Sequence, residues 1–99
     1  MKKIIAILLS LIFVVSLCSC SSDDDKIRFG AAGIGGIYNE TVTSIRQLAD
    51  ESGKLKIEQK TTAGSTANVR LLSRGYLDAA IAQSDIVSDA YNGENNFEK

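Results

Sequence analysis

KIRFGAAGIGGIYNETVTSIRQLA, Lys26 to Ala49, contains the change of period that decides the fold. From Lys26 to Gly30 the side chains alternate, Ile27 and Phe29 against Lys26 and Arg28, which is the two-residue period of a strand. From Tyr38 the apolar positions fall at Tyr38, Val42, Ile45 and Ala49, with Leu48 beside them. That four-three-four spacing predicts a helix running to about Glu51, with Gly53 as its left-handed terminator. Gly30, Gly33, Gly35 and Gly36 stand between the two periods. A strand, a bare turn and a helix in this order open a parallel strand-helix-strand unit.

The rest of the chain repeats the alternation. Leu55 to Thr61 returns to strand periodicity, with Leu55, Ile57 and Gln59 against Lys56, Glu58 and Lys60, and its one wet face suits an edge strand. Thr62, Ala63 and Gly64 then turn the chain, Ser65 is a good N-cap, and Thr66 to Arg74 reads as a helix carrying Val69, Leu71 and Leu72 that Gly75 ends. Leu77 to Ala82 is a near-continuous small apolar run, the signature of a strand buried on both faces. Asp85 is placed to cap a third helix through Ile86, Val87 and Tyr91 to Gly93, and residues 94–99 form a tail without a pattern. The fold class is α/β: a parallel sheet with right-handed strand-helix-strand crossovers, over residues 26–93.

Such a sheet gathers the loops leaving the carboxyl ends of its strands on one edge, where open α/β sheets bind ligands. Those loops are Gly30 to Ile37, Thr61 to Ser65 and Gln83 to Asp85. The first is neither of the common nucleotide turns. A dinucleotide fingerprint needs a third glycine where Tyr38 stands, and a phosphate loop needs a lysine and a hydroxyl where Gly36 and Ile37 follow Gly35. By itself it is equally a tight turn into a helix. The second loop repeats the logic, since Gly64, Ser65 and Asn68 surround another helix start whose free N–H groups attract a carboxylate. Gln83 and Ser84 are the third polar group on that edge, Gln83 because an amide both donates and accepts. For Ser65 and Asp85, capping their own helices is the competing reading.

Upstream, Lys2 and Lys3 precede an uncharged run from Ile4 to Leu17. A helix over these fourteen residues reaches about 21 Å, at ~1.5 Å per residue, against a hydrocarbon core of roughly 30 Å, so residues 1–19 read as an export signal, not a permanent span. The run ends in Leu17, Cys18, Ser19 and Cys20, which resembles the lipobox of bacterial lipoproteins with Cys20 as the lipidated residue; an ordinary signal peptide cut nearby is the alternative. Acyl chains such as palmitate on Cys20 hold a protein stably on a membrane, at ~0.8 kcal/mol per buried methylene. Residues 20–25 are then anchor and tether, and the protein is extracytoplasmic and lipid-anchored.

Composition narrows the chemistry. Removal of residues 1–19 leaves nine of the eleven basic residues against twelve acidic ones, a balance of −3 that argues against a nucleic-acid partner. There is no histidine and no cysteine beyond the two at the anchor, so the usual zinc ligands, the commonest general base and any thiol nucleophile are missing. No cofactor is expected. Asp78, Asp85 and Asp89 lack a nucleophile or metal partner at telling spacing, which sets an enzyme behind a binding protein.

The segment from Ile27 to Gly93 resembles the TAXI family, the solute-binding subunits of tripartite ATP-independent periplasmic (TRAP) transporters. The resemblance is carried by Gly35, Gly36, Ile37, Tyr38 and Asn39 and, more specifically, by TAGSTANVRLLSRGYLDAAIAQSD, Thr62 to Asp85. The family pattern has threonine where Ile37 stands and a second tyrosine where Asn39 stands. The resemblance implies part of one lobe of a type II periplasmic-binding-protein-like fold, truncated, since whole members resemble two-lobed proteins of about three hundred residues. It also implies a small organic acid or amino acid ligand, such as glutamate, and a TRAP-type membrane permease as partner. Gly35, Gly36, Tyr38, Gly64, Ser65, Asn68, Gln83 and Ser84 are the candidate ligand contacts. A small surface lipoprotein with a structural or partner-binding role and no pocket is the alternative.

Overall fold

The computed structural model describes residues 1–5 and 25–98. Most of the export signal, the lipobox with Cys20, and Ser21 to Asp24 of the tether lie outside the described residues. Among the described residues no helix is long and apolar enough to cross a membrane.

The elements follow the order strand, helix, strand, helix, strand, helix: β1 (Lys26–Gly30), α1 (Ile37–Ser52), β2 (Lys56–Lys60), α2 (Ser65–Ser73), β3 (Ala79–Ala80) and α3 (Ser84–Asn92), closed by a 3-10 turn at Asn95–Phe97. The three strands form one parallel sheet in the order β2-β1-β3. Lys26 pairs with Lys56 and Gly30 with Lys60 on one side, and Phe29 with Ala79 and Gly30 with Ala80 on the other. β1 is therefore central, and the chain crosses over it between β2 and β3.

The strand period sorts the helices onto two faces. Paired residues in a parallel sheet share a face, so Ile27, Phe29, Ile57 and Gln59 point the same way. That is the α1 side, because Gln59 Nε2 donates to Asn39 O at 3.1 Å and Thr43 Oγ1 donates to Gln59 Oε1 at 3.2 Å. Val42 and Ala49 supply its buried stripe. Gly30 faces the opposite side, and there it meets Leu77 and Asn68 of α2. Leu48, which the sequence sets beside that stripe, is 66 % exposed, while Tyr38 and Ile45 on the stripe are half-buried.

The helix ends differ from expectation in an informative way. Gly53 (φ 66°) and Gly93 (φ 69°) take the left-handed conformation just past α1 and α3, as the sequence predicts. Ser65 and Asp85, however, are not N-caps. Each lies inside its helix, and the caps are Gly64 and Gln83, neither of which gives a side-chain bond to the helix.

β3 is the other correction. Its apolar run predicts a strand buried on both faces, yet Ala79 and Ala80 are half-buried and β3 is an edge of the three-stranded sheet. Only two residues pair, and the bonds Asp78 N–H to Arg28 O (2.9 Å) and Ile81 N–H to Gly30 O (3.2 Å) extend the ladder at either end. The Arg28–Asp78 ion pair reinforces it: Arg28 Nε and Nη2 donate to the two carboxylate oxygens at 2.9 and 2.8 Å, and the Arg28 main-chain N–H donates to Oδ2 at 2.9 Å. The tail is also ordered against α2, with the Arg70 guanidinium 5.5 Å from the centre of the Phe97 ring and donating to Asn96 O.

Candidate functional site

The carboxyl edge of the sheet carries three helix starts, and each begins without a side-chain cap. An α-helix leaves its first N–H groups unpaired and a partial positive charge at that end. In α1 the first helical bond is Glu40 N–H to Gly36 O; in α2 it is Asn68 N–H to Gly64 O; in α3 it is Val87 N–H to Gln83 O. Ahead of these bonds, the N–H groups of Ile37, Tyr38 and Asn39, of Ser65, Thr66 and Ala67, and of Ser84 and Asp85 find no acceptor among the described residues.

The three starts are not equivalent. α1 has Glu40 in its first turn, and α3 has Asp85, whose Oδ1 accepts the Ile86 N–H at 2.9 Å. α2 has no acidic residue in its first turn. A carboxylate approaching the edge meets like charge at α1 and α3 and none at α2, so α2 is the strongest anion seat of the three.

Ser65, the first residue of α2, makes the link between loops. Its Oγ accepts the Gln83 main-chain N–H at 3.0 Å. A hydroxyl has one donor and two acceptor positions, so Ser65 keeps its O–H proton for a further acceptor while it holds the β3–α3 loop. Gly64, just before it, has φ 107° and ψ −163°, a region essentially confined to glycine. That geometry sets the α2 start without a capping side chain.

Asn68 lies one turn further on and is fully buried. Its Nδ2 donates to Ile81 O at 2.8 Å and Ala31 O at 3.1 Å, with Gly30 O at 3.5 Å, and its Oδ1 accepts from Thr62 Oγ1. The sequence points to Asn68 as a ligand contact; the structure uses its whole amide on the protein's own main chain and on Thr62, leaving no atom for a ligand. Gly30 explains part of the glycine run. A Cβ there would lie 2.9 Å from Asn68 Oδ1 and 2.5 Å from Leu77 Cδ1, so β1 must end bare for Asn68 to reach its carbonyls.

Gly36 and Tyr38 line a different feature. With Ala32 and Ile37 they border an open, mostly apolar depression of about 350 Å³ at the α1 start. Gly35 (φ 84°) turns the chain into it, and Ile34 and Ile37 are 87 % and 79 % exposed. The candidate residues thus form two groups on one edge: Gly64, Ser65, Gln83 and the exposed Ser84 around the α2 start, and Gly35, Gly36 and Tyr38 around the α1 start. The Ser65–Gln83 bond joins residues eighteen apart and had no sequence signal beyond both lying at strand-to-helix turns.

No curated protein matches the chain. Residues 29–99, well over half of it, match the NMT1-like family. This is a periplasmic-binding-protein-like family, which gives a solute-binding role at a coarse level, and its match begins at Phe29, where β1 feeds the glycine loop. A three-stranded parallel sheet with open helix starts along its carboxyl edge is the corresponding part of such a fold, and the chain belongs to the NMT1-like family.

Proposed function

We propose that the chain is an extracytoplasmic solute-binding lipoprotein of the TAXI type, anchored through Cys20, which captures a small organic acid or amino acid such as glutamate and hands it to a TRAP-type membrane permease. The observation that carries the reading is the uncapped α2 start, with three main-chain N–H groups, no acidic neighbour in its first turn and the Ser65 hydroxyl beside them. The family's solute-binding role supports the ligand class at a coarse level. The resemblance of Thr62 to Asp85 to the TAXI pattern supports the transporter type.

Magnitude selects the experiment. A helix start contributes ~0.3 to 1 kcal/mol to holding an anion, up to about 2 when partly buried, so the edge of one lobe supplies a few kcal/mol in all. That corresponds to a dissociation constant of about a millimolar. Amide chemical shifts read binding in this range. The full chain, 15N-labelled in detergent micelles, is titrated with glutamate and with the neutral diamide of the same skeleton. The amides of Ser65, Thr66, Ala67 and Gln83 should move with glutamate and stay with the diamide. Equal shifts with both compounds, or none at tens of millimolar, overturn the carboxylate reading.

A further inference from the structure

We propose that Asn68 is the positioning residue of the carboxyl edge: through Ile81 O, Ala31 O and Thr62 it sets where the Ser65 hydroxyl and the Gln83 loop stand relative to the end of β1. The inference takes from the solute-binding reading only what the edge is for; the positioning itself stands on geometry.

Three loop segments meet on this one side chain of α2. Ala31 is the first residue past β1, Thr62 belongs to the β2–α2 turn, Ile81 to the exit of β3, and Asn68 itself to the first turns of α2. Ala31, Thr62 and Ile81 follow three different strands, and no main-chain bond joins the β2–α2 turn to the exit of β3 among the described residues. The amide of Asn68 supplies that joint. Its two donors hold carbonyls from two strands, and its oxygen holds the hydroxyl of the third segment.

The spacing shows how this acts on Ser65. Ser65 and Asn68 are three apart on α2 and therefore share a face. Their partners, Gln83 N–H and Ile81 O, are two apart on the β3–α3 loop. Three helical residues rise ~4.5 Å and two extended residues span about 6.6 Å, a difference side-chain reach absorbs, so the loop lies along the helix on two rungs. Asn68 is the buried rung and Ser65 the exposed one. An exposed hydroxyl bond by itself competes with water, whereas a buried amide with every atom bonded resists opening. The buried rung fixes the geometry that the exposed rung presents.

A plain structural role and a positioning role differ in what is lost. The test is amide hydrogen exchange, residue by residue, on the full chain and on Thr62→Val and Asn68→Asp. Thr62→Val removes the hydroxyl from Asn68 Oδ1 at a half-buried site, together with the longer Gly64 N–H contact to the same oxygen at 3.4 Å, and keeps the side-chain shape. Asn68→Asp keeps the shape and replaces two donors by a carboxylate facing three carbonyls. In Thr62→Val the Gln83 and Ile81 amides should exchange about three- to tenfold faster, the effect of one weakened hydrogen bond, while Val42 and Ala49 in α1 keep their rates. Asn68→Asp should do the same more strongly; if it does not fold, Thr62→Val decides alone. A uniform rise across α1 and the edge, or an unchanged Gln83 rate in Thr62→Val, overturns the proposal. Glutamate added to the same samples keeps the two readings apart: absence of glutamate-dependent shifts in the unsubstituted chain sinks the ligand, and leaves the exchange result to stand or fall by itself.

Discussion

Ser65 Oγ accepts the main-chain N–H of Gln83 at 3.0 Å while Ser65 itself lies inside α2 behind the Gly64 cap, so the serine ties two loops together in place of the capping role that sequence assigns to it. A serine that caps its own helix spends its oxygen on an N–H two or three residues on and closes the anion seat. Here the oxygen goes to another loop, and the N–H groups of the α2 start stay open.

The Ser65→Ala variant separates these roles. The bond it removes is solvent-exposed, so water replaces the lost acceptor and stability falls by about 0.5 kcal/mol or less. For a domain of this size that is a drop of roughly 2 to 4 °C in melting temperature. A bound carboxylate loses the hydroxyl donor directly, about 1 kcal/mol, which weakens glutamate binding roughly fivefold. Thermal melting and amide-shift titration of the same two samples give both numbers. An unchanged dissociation constant removes Ser65 from the site.

The glycine run yields a paired prediction, because two of its members are bare for different reasons. At Gly30 a Cβ would press on Leu77 Cδ1 at 2.5 Å and Asn68 Oδ1 at 2.9 Å, so Gly30→Ala should cost about 1–3 kcal/mol through overpacking. At Gly33 a Cβ meets nothing within 4 Å and φ is not positive, so Gly33→Ala should be neutral, or stabilising by up to about 1 kcal/mol as the unfolded chain loses freedom. Urea unfolding of the two variants side by side is the check. Equal losses would mean that Asn68 does not need the space that Gly30 leaves.

Local periodicity made most of the fold legible. The alternation of Lys26 to Gly30 and the stripe of Val42 and Ala49 are properties of a few neighbouring residues, and they give β1 and α1 with their order. Gly53 and Gly93 end their helices because left-handed backbone favours glycine whatever surrounds it. The partners of Ser65, Asn68 and Arg28 were not legible, since Gln83, Ile81 and Asp78 lie 18, 13 and 50 residues away and no local pattern encodes which loop meets which. Asn68 illustrates the limit. Its three-residue spacing from Ser65 marks it as important, and the same spacing fits a ligand contact and a buried staple equally well.

The anchor is tested independently of the lobe. Expressed in a bacterium, the chain should partition with membranes and gain the mass of its acyl chains at Cys20. Cys20→Ser should lack that mass and, once the export signal is cleaved, appear in the soluble fraction, because on the proposed reading the acyl chains, at ~0.8 kcal/mol per buried methylene, are the anchor. Intact-mass spectrometry of detergent and aqueous phases distinguishes the outcomes. Membrane retention of Cys20→Ser would point to the uncleaved export signal as the anchor.

Acid stability should report the clamp that holds β3. β3 pairs with β1 through Ala79 and Ala80 and the two flanking main-chain bonds, and the Arg28–Asp78 ion pair adds to that docking. Side-chain hydrogen bonds from Arg28, then its main-chain N–H, hold the Asp78 carboxyl down at about 2, below its ordinary 3.8. A carboxylate whose folded value is depressed contributes stability that is complete above the unfolded value and is lost as pH falls through the folded one. The window is therefore between about pH 4 and pH 2. Asp78→Asn should melt lower than the unsubstituted chain at pH 7, and the gap should close as pH falls through that window, since protonation removes the same charge that the substitution removes. The pair is exposed by about two-fifths on each side, so solvent screening keeps the gap small and added salt should shrink it further. Melting curves at pH 7, 4 and 2 with both proteins decide the matter: a gap that persists unchanged to pH 2 would mean that Asp78 acts through its shape and hydrogen bonds and not through its charge.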